Sequence, residues 1–245
     1  MREICLSTYL NDKIENHKKS IKKYFKIILI GTILVVPVYL YVPNLIFLYF
    51  VLYFVFLGFM SFKINEHYSD IKSFHAGLQG ETTLKQTLNS LSDDFVAFYN
   101  VPIDNSKDID CVLVGPKGVF IIEVKNHKGT IIYSENGWKQ IKTGRGGTQY
   151  LGNLGNPGKQ LLANMHKFKK FLDENNIHVW IQPILVFTNP EADIVLEKEP
   201  KPIIVCKIEN ILDVINNSGK TISQELINRI CDLLQNSVKI ESTKL

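Results

Sequence analysis

The chain has 245 residues, 45% of them hydrophobic and 21% charged, which is enough for one ordinary folded domain plus an additional piece. Its formal net charge is only +4. Four cysteines, Cys5, Cys111, Cys206 and Cys231, lie far apart with no C-x-x-C pair, so their pattern supports neither a zinc framework nor a disulfide scaffold and agrees with a reducing cytoplasm.

The first 26 residues form a basic segment, with Arg2, Lys13, Lys18, Lys19, Lys22, Lys23 and Lys26 against three acids. From Ile27 to Phe62 there is no charged side chain over 36 residues, the run being broken only by "VPN" at Val42 to Asn44 and by isolated small or helix-breaking residues. Each half, 27–42 and 45–62, approaches the roughly 20 residues that a bilayer core demands of a helix. A transmembrane helical hairpin is expected. A cleaved signal peptide would have an apolar region of about 7 to 15 residues and a small-residue cleavage site, which this stretch lacks. A buried core hairpin would be apolar along one stripe, whereas both halves are apolar all round. The lysines before the first span, and Lys63 and Lys72 after the second, put both termini in the cytoplasm by the positive-inside rule. Tyr24, Tyr39 and Tyr41 suit interfacial positions. Tyr49 and Tyr53, at mid-span, do not.

Residues 63–73 read as a polar connector, and "KINEHYSDIKSFHAGLQG" can continue as helix. "ETTLKQTLNSL" sets Leu84, Leu88 and Leu91 at helical spacing. Strands are expected at "FVAFYNVPI", "IDCVLV" and "VFIIEVK", with "GTIIYSENGW" a further strand running into a turn, followed by a Gly-rich loop from Thr143 to Gly158. A helix then starts with Asn156 as N-cap and Pro157 at its first position, with a core stripe of Leu161, Met165, Phe168 and Leu172. "VWIQPILVF" and "IIVC" are further strands, and "ISQELINRICDLLQ" a closing helix. The soluble part, from about residue 72 to 240, is therefore a mixed α/β domain, with residues 191–245 adding a strand and helices to it.

Residues 107–170 carry a local +7, offset by −3 in residues 63–106 and −4 in residues 171–245. A basic stripe of this size is a modest footprint for a polyanion and equally fits a solvated surface.

The stretch "DIDCVLVGPKGVFIIEVKNHKG" raises the central question, because two carboxylates and a lysine interrupt its apolar runs. If "GPKG" is the turn and Val114 pairs with Val119, Asp110 falls opposite Glu123, with β-carbons about 4.5 to 5.5 Å apart. Like charges at that spacing need a cation or a shared proton. Alternation puts Val119, Ile121, Glu123 and Lys125 on one face, and Phe120, Ile122 and Val124 on the other. Glu81 precedes Leu84 by three residues and joins the buried stripe of its helix, although an acid favoured by the helix dipole has the same position. Two or three carboxylates without Cys or His make a hard-oxygen site suited to Mg²⁺ or Mn²⁺, and a neighbouring ammonium can orient water and stabilise charge on a phosphate. The triplet E-x-K is weak alone, since "EPK" at Glu199 to Lys201 repeats it in a Pro-flanked loop. Gln160 shares a stripe with Asn164, Lys167 and Phe171 beside the core stripe, so it can reach a cleft or remain a polar first-turn residue. The "GRGG" loop, Gly144 to Gly147, can cradle phosphate or be surface loop. For His127, Trp138 and His166, packing or solvent exposure is the default.

"GLQGE" (Gly77 to Glu81), the hairpin, Trp138 and "NPGKQ" (Asn156 to Gln160) together resemble the successive motifs of the NERD, or nuclease-related, domain over roughly residues 74–190. That family is similar to the PD-(D/E)XK restriction-endonuclease-like superfamily. The resemblance implies a restriction-endonuclease-like mixed sheet flanked by helices, preceded here by the membrane hairpin. It implies a catalytic set of Glu81, Asp110, Glu123, Lys125 and Gln160, with Asp110, Glu123 and Glu81 holding Mg²⁺ or Mn²⁺. The function expected is a membrane-anchored, cytoplasm-facing nuclease acting on DNA, tethered to the bilayer through residues 27–62. The alternative is a non-catalytic, membrane-bound nucleic-acid-binding or adaptor module with the same fold.

Overall fold

The computed structural model describes residues 1–5, 9–41, 46–102 and 108–242, without the side chains of residues 9, 35–41, 46, 218 and 237–242. It divides into one unit of residues 1–7 with 79–245 and a second of residues 8–78.

The first unit is built on a six-stranded mixed sheet. Its strands are β1 (Arg2–Cys5), β2 (Val96–Val101), β3 (Ile109–Gly115), β4 (Gly118–Lys125), β8 (Ile181–Phe187) and β10 (Ile204–Lys207), in the order β1-β2-β3-β4-β8-β10. β2, β3 and β4 run antiparallel to their neighbours in turn, while β1 joins β2, and β8 joins β4 and β10, in parallel. Val114 pairs with Val119, the register expected from the "GPKG" turn. The fully buried strands are continuous apolar runs because helices cover both faces. Val112, Val114, Val119, Ile121 and Leu185 face the helices α3 (Pro157–Glu174) and α5 (Gln224–Ser242) through Leu161, Phe168, Leu172, Ile227, Ile230 and Leu234. Cys111, Leu113, Phe120, Ile122 and Ile184 face Leu84 and Leu88 near the end of α2 (Ile46–Leu88), and Ile211 and Ile215 of α4 (Ile211–Ser218). The mixed α/β class expected from the sequence is the one observed.

A second, four-stranded sheet has the order β7-β6-β5-β9, formed by β5 (Gly129–Ser134), β6 (Gly137–Thr143), β7 (Gln149–Leu151) and β9 (Ala192–Leu196). The Gly-rich stretch after Thr143 is thus a hairpin tip rather than one long loop. Gly144 N–H donates to the Thr148 carbonyl and Gly147 N–H to that of Gly144, while Arg145 to Tyr150 lie exposed. Within it no side chain of this tip contributes to the buried core.

The basic N-terminal 26 residues contain a strand and the start of a helix. Arg2–Cys5 adds an edge strand to the large sheet, and α1 (Tyr9–Tyr41) begins long before the apolar run. The connector 63–73 is likewise helical, because α2 continues unbroken through it and through the segment carrying Glu81.

The second unit comprises α1 and residues 46–78 of α2. Gly31 of α1 lies against Phe56 of α2, the Thr32 hydroxyl hydrogen-bonds the Tyr53 hydroxyl, and Leu10 approaches Gly77. Residues early in one helix thereby meet residues late in the other, an antiparallel pair. The Tyr53 partner accounts for a phenol that seemed misplaced at mid-span. Among the described residues one helix, Phe47–Leu88, is long and apolar enough to cross a membrane, with a mean hydropathy of 2.0 in its best window. Phe47, Phe54, Val55, Phe59 and Phe62 are all more than half exposed. A second span is not supported there: the expected turn at Val42 to Asn44, and the Tyr39 and Tyr41 side chains, lie outside the described residues.

Candidate active site

The site grows from the end of β4. This strand is held by β3 on one side and β8 on the other, so its backbone is fixed by ladders on both edges. The β3–β4 pairing runs to Cys111 and Ile122, and just beyond it the Asp110 carboxylate accepts the Val124 N–H at 2.7 Å. Asp110 therefore replaces a strand partner with its own side chain, which anchors the carboxylate at the sheet end. Glu123 follows Ile121 on the α3 side and is 1% exposed. Its charge is compensated by Lys125, which donates from Nζ to Glu123 Oε1 at 2.6 Å. Lys125 Nζ also reaches Gln160 Oε1 at 3.5 Å. Burial depresses the Lys125 ammonium, but the Glu123 and Asp110 carboxylates outweigh it and hold its pKa above the ordinary lysine value.

Gln160 is delivered by the start of α3. The Asn156 side chain accepts the Lys159 N–H at 2.9 Å, Pro157 occupies the first turn, and Gly158 sits where a Cβ would meet Trp138 Nε1 at 3.0 Å. The motif "NPGKQ" is thus cap, helix start, close seat on Trp138, and reaching amide. Trp138 itself packs between Tyr133 and Phe187 and against the core, the default reading for it. On the same helix Asn164, not Met165, completes the buried stripe, and its amide Nδ2 has no hydrogen-bond partner among the described residues.

Glu81 arrives from the other side of the sheet, on the α2 face that carries Leu84 and Leu88. Its carboxyl is pushed up to about 7, first by burial and then by the Asp110 carboxylate, while Lys85 and a hydrogen bond to Asn100 pull the other way. Glu81 is therefore an electrostatic neighbour of Asp110 and approaches the strand end from the face opposite Gln160. Asn100 was not singled out in the sequence. It takes φ +53 near the end of β2, between the pairs Tyr99 with Cys111 and Val101 with Ile109, and so sits opposite Asp110. A lone Asn interrupting "FVAFYNV" was the signal.

Gly80 explains how α2 can come this close. A Cβ there would meet Thr188 Oγ1 at 2.9 Å, and Asn126 Cβ and Val124 Cγ1 at 3.1 Å. Thr188 in turn donates its N–H to the Lys125 carbonyl at 3.1 Å, and its buried hydroxyl has no partner among the described residues.

Of the remaining sequence candidates, His166 is exposed and lies in a groove of about 440 Å³ with Tyr133, Trp138, Lys159 and Lys201. His127 is half-buried and its pKa is lowered by burial. The second E-x-K copy is an exposed ion pair, Lys201 to Glu199 at 2.9 Å with both side chains at least three-quarters exposed. Burial separates the two copies: Glu123 is held by a central strand, Glu199 by nothing.

Residues 76–188 match the family described as NERD, the nuclease-related domain, and that span holds all five candidate residues. No curated protein and no solved structure matches the chain.

Proposed function

From a chain whose residues 76–188 carry a nuclease-related domain, we propose a membrane-anchored, cytoplasm-facing, metal-dependent nuclease that hydrolyses DNA phosphodiester bonds. The observation that carries this reading is the convergence of Asp110, Glu123, Lys125 and Gln160 at one rigid strand end. Metal-dependent phosphoryl chemistry needs such groups fixed within fractions of an ångström.

The donor set fits a hard divalent cation. Asp110 and Glu123, with Glu81 on the opposite face, offer only oxygen, and the buried Glu123 carboxylate requires a positive partner whether or not a metal is bound. Bound there, Mg²⁺ or Mn²⁺ would polarise the phosphate and acidify a coordinated water. Lys125, kept charged by the two carboxylates, is placed to orient the attacking water and to stabilise negative charge on the phosphate. Gln160 accepts from the ammonium and limits its swing. Glu81, with a pKa near neutrality, can hold or release a proton beside Asp110.

The anchor is proposed as two spans within residues 27–62. Its support is the uncharged run of 36 residues, the exposed apolar side chains of α2, and the antiparallel pairing of α1 with α2. By the positive-inside rule, lysines outside that run support a cytoplasmic position for both ends.

Mn²⁺ titration of the full chain in detergent tests the metal reading directly. Asp110→Ala is expected to weaken Mn²⁺ binding at least tenfold. Unchanged affinity would remove Asp110 from the metal set and favour the non-catalytic adaptor.

A further inference from the structure

The helix pair of residues 8–78 contains a group of side chains that the nuclease reading leaves unused. His17 on α1 brings Nδ1 within 2.8 Å of Nδ1 of His67 on α2, and within 3.6 Å of Oδ2 of Asp70. All three ligand atoms lie within 4.8 Å of one another. His67 and Asp70, three residues apart on one helix, necessarily share a face. His17 comes from a helix 50 residues away in sequence.

Two imidazole nitrogens can face each other this closely only with a hydrogen atom or a cation between their lone pairs. A single proton on one Nδ1 is the minimal solution, and a metal ion is the other. Both rings are already oriented: Tyr24 stacks on His67 with centroids 5.6 Å apart, and Phe74 flanks His17 at 5.5 Å. The His17 side chain is 21% exposed and that of Asp70 47%, so an ion can enter and water can complete its shell. A tetrahedral zinc ion with bonds of about 2.0 to 2.1 Å keeps its donors about 3.3 Å apart. The separations of 2.8 and 3.6 Å from His17 bracket that value and all three donors lie within 4.8 Å of one another, so side-chain rotations can bring them onto one ion.

We propose that His17, His67 and Asp70 form a Zn²⁺ site that staples α1 to α2 next to the apolar run. Two nitrogens and one carboxylate suit a borderline transition ion, whereas the all-oxygen set around Glu123 suits Mg²⁺ or Mn²⁺, so the two centres differ in metal preference. The cysteine pattern pointed away from zinc, and the ligands are instead histidines that only the pairing of the helices brings together. The inference stands independently of the nuclease reading.

The test uses the full chain in detergent micelles, stripped by chelator and then equilibrated with Zn²⁺ alone or Co²⁺ alone. One equivalent of Zn²⁺ per chain is expected, with visible Co²⁺ absorption bands of tetrahedral intensity. His17→Gln should lose the Co²⁺ bands, and the milder Asp70→Asn should weaken Zn²⁺ binding at least tenfold while keeping the helix content. Glu123→Gln should retain the equivalent. Failure of the wild-type chain to take up Zn²⁺, uptake that survives His17→Gln with His67→Gln, or loss of the equivalent in Glu123→Gln would each overturn the proposal.

Discussion

Lys125 and Glu123 are best understood as one unit, because neither is tolerable alone. Glu123 is 1% exposed, and Lys125 pairs with it at 2.6 Å. Lys125→Ala should therefore destabilise the domain by about 3 kcal/mol, the scale on which a buried ion pair resists loss of one partner. Denaturation followed through Trp138 and Trp180, both outside the helix pair, would measure it. Glu81 adds a pH signature. Its carboxyl rises from 4.5 to about 7 on folding, so between these values the folded chain holds a proton that the unfolded chain releases. Stability from this group is complete below the lower value and is lost as pH rises through the upper one. Glu81→Gln should thus gain on the wild type by about 2 kcal/mol between acidic and mildly alkaline buffer without divalent metal, after discounting for partial exposure. Equal pH slopes for the two proteins would contradict the buried placement. At this scale much was legible beforehand. Alternation and the "GPKG" turn placed Asp110, Glu123 and Lys125, and the cap at Asn156 placed Gln160. Asn100 left one signal, a lone amide inside an apolar strand, but its place opposite Asp110 follows from the pairing of β2 with β3 and not from its neighbours in sequence.

Among the elements, α2 does the most to connect sequence to site. Gly80 lets the helix touch Val124, Asn126 and Thr188, and a methyl group there would have to displace them by several tenths of an ångström. Gly80→Ala is expected to cost about 1 to 3 kcal/mol by overpacking, and to lower cleavage and weaken metal binding together, since Glu81 moves with its helix. An Ala variant as active and stable as the wild type would show that the helix does not need this approach. The helices and long apolar strands were readable from periodicity. β1, β6, β7 and β9 were not: in β6 the two large apolar residues, Trp138 and Ile141, are three apart and do not alternate, while strands of three to five residues carry too few alternations to register and take their identity from a partner, β1 from the edge of β2 and β9 from that of β5. α4 escaped notice for the same reason, being eight residues long.

For the whole molecule, the chain joins a buried-sheet domain to a helix pair with an apolar surface that water does not favour. After cell lysis the full chain should pellet with membranes and resist extraction at high pH, whereas a chain with residues 27–62 excised and residues 1–26 kept should not. Retaining the N-terminus matters, because Arg2–Cys5 is a strand of the large sheet. Free partition of the full chain into the soluble fraction would refute the anchor while leaving the site untouched. The central claim is tested most directly by cleavage. Purified full chain in detergent should be incubated with circular and linear DNA and with RNA, in Mg²⁺, Mn²⁺ or chelator, beside Glu123→Gln. The account predicts metal-dependent cleavage of DNA that chelator stops and that falls by at least a hundredfold in the variant. Equal cleavage by Glu123→Gln, or binding of nucleic acid by both proteins with no cleavage in any metal, would contradict it.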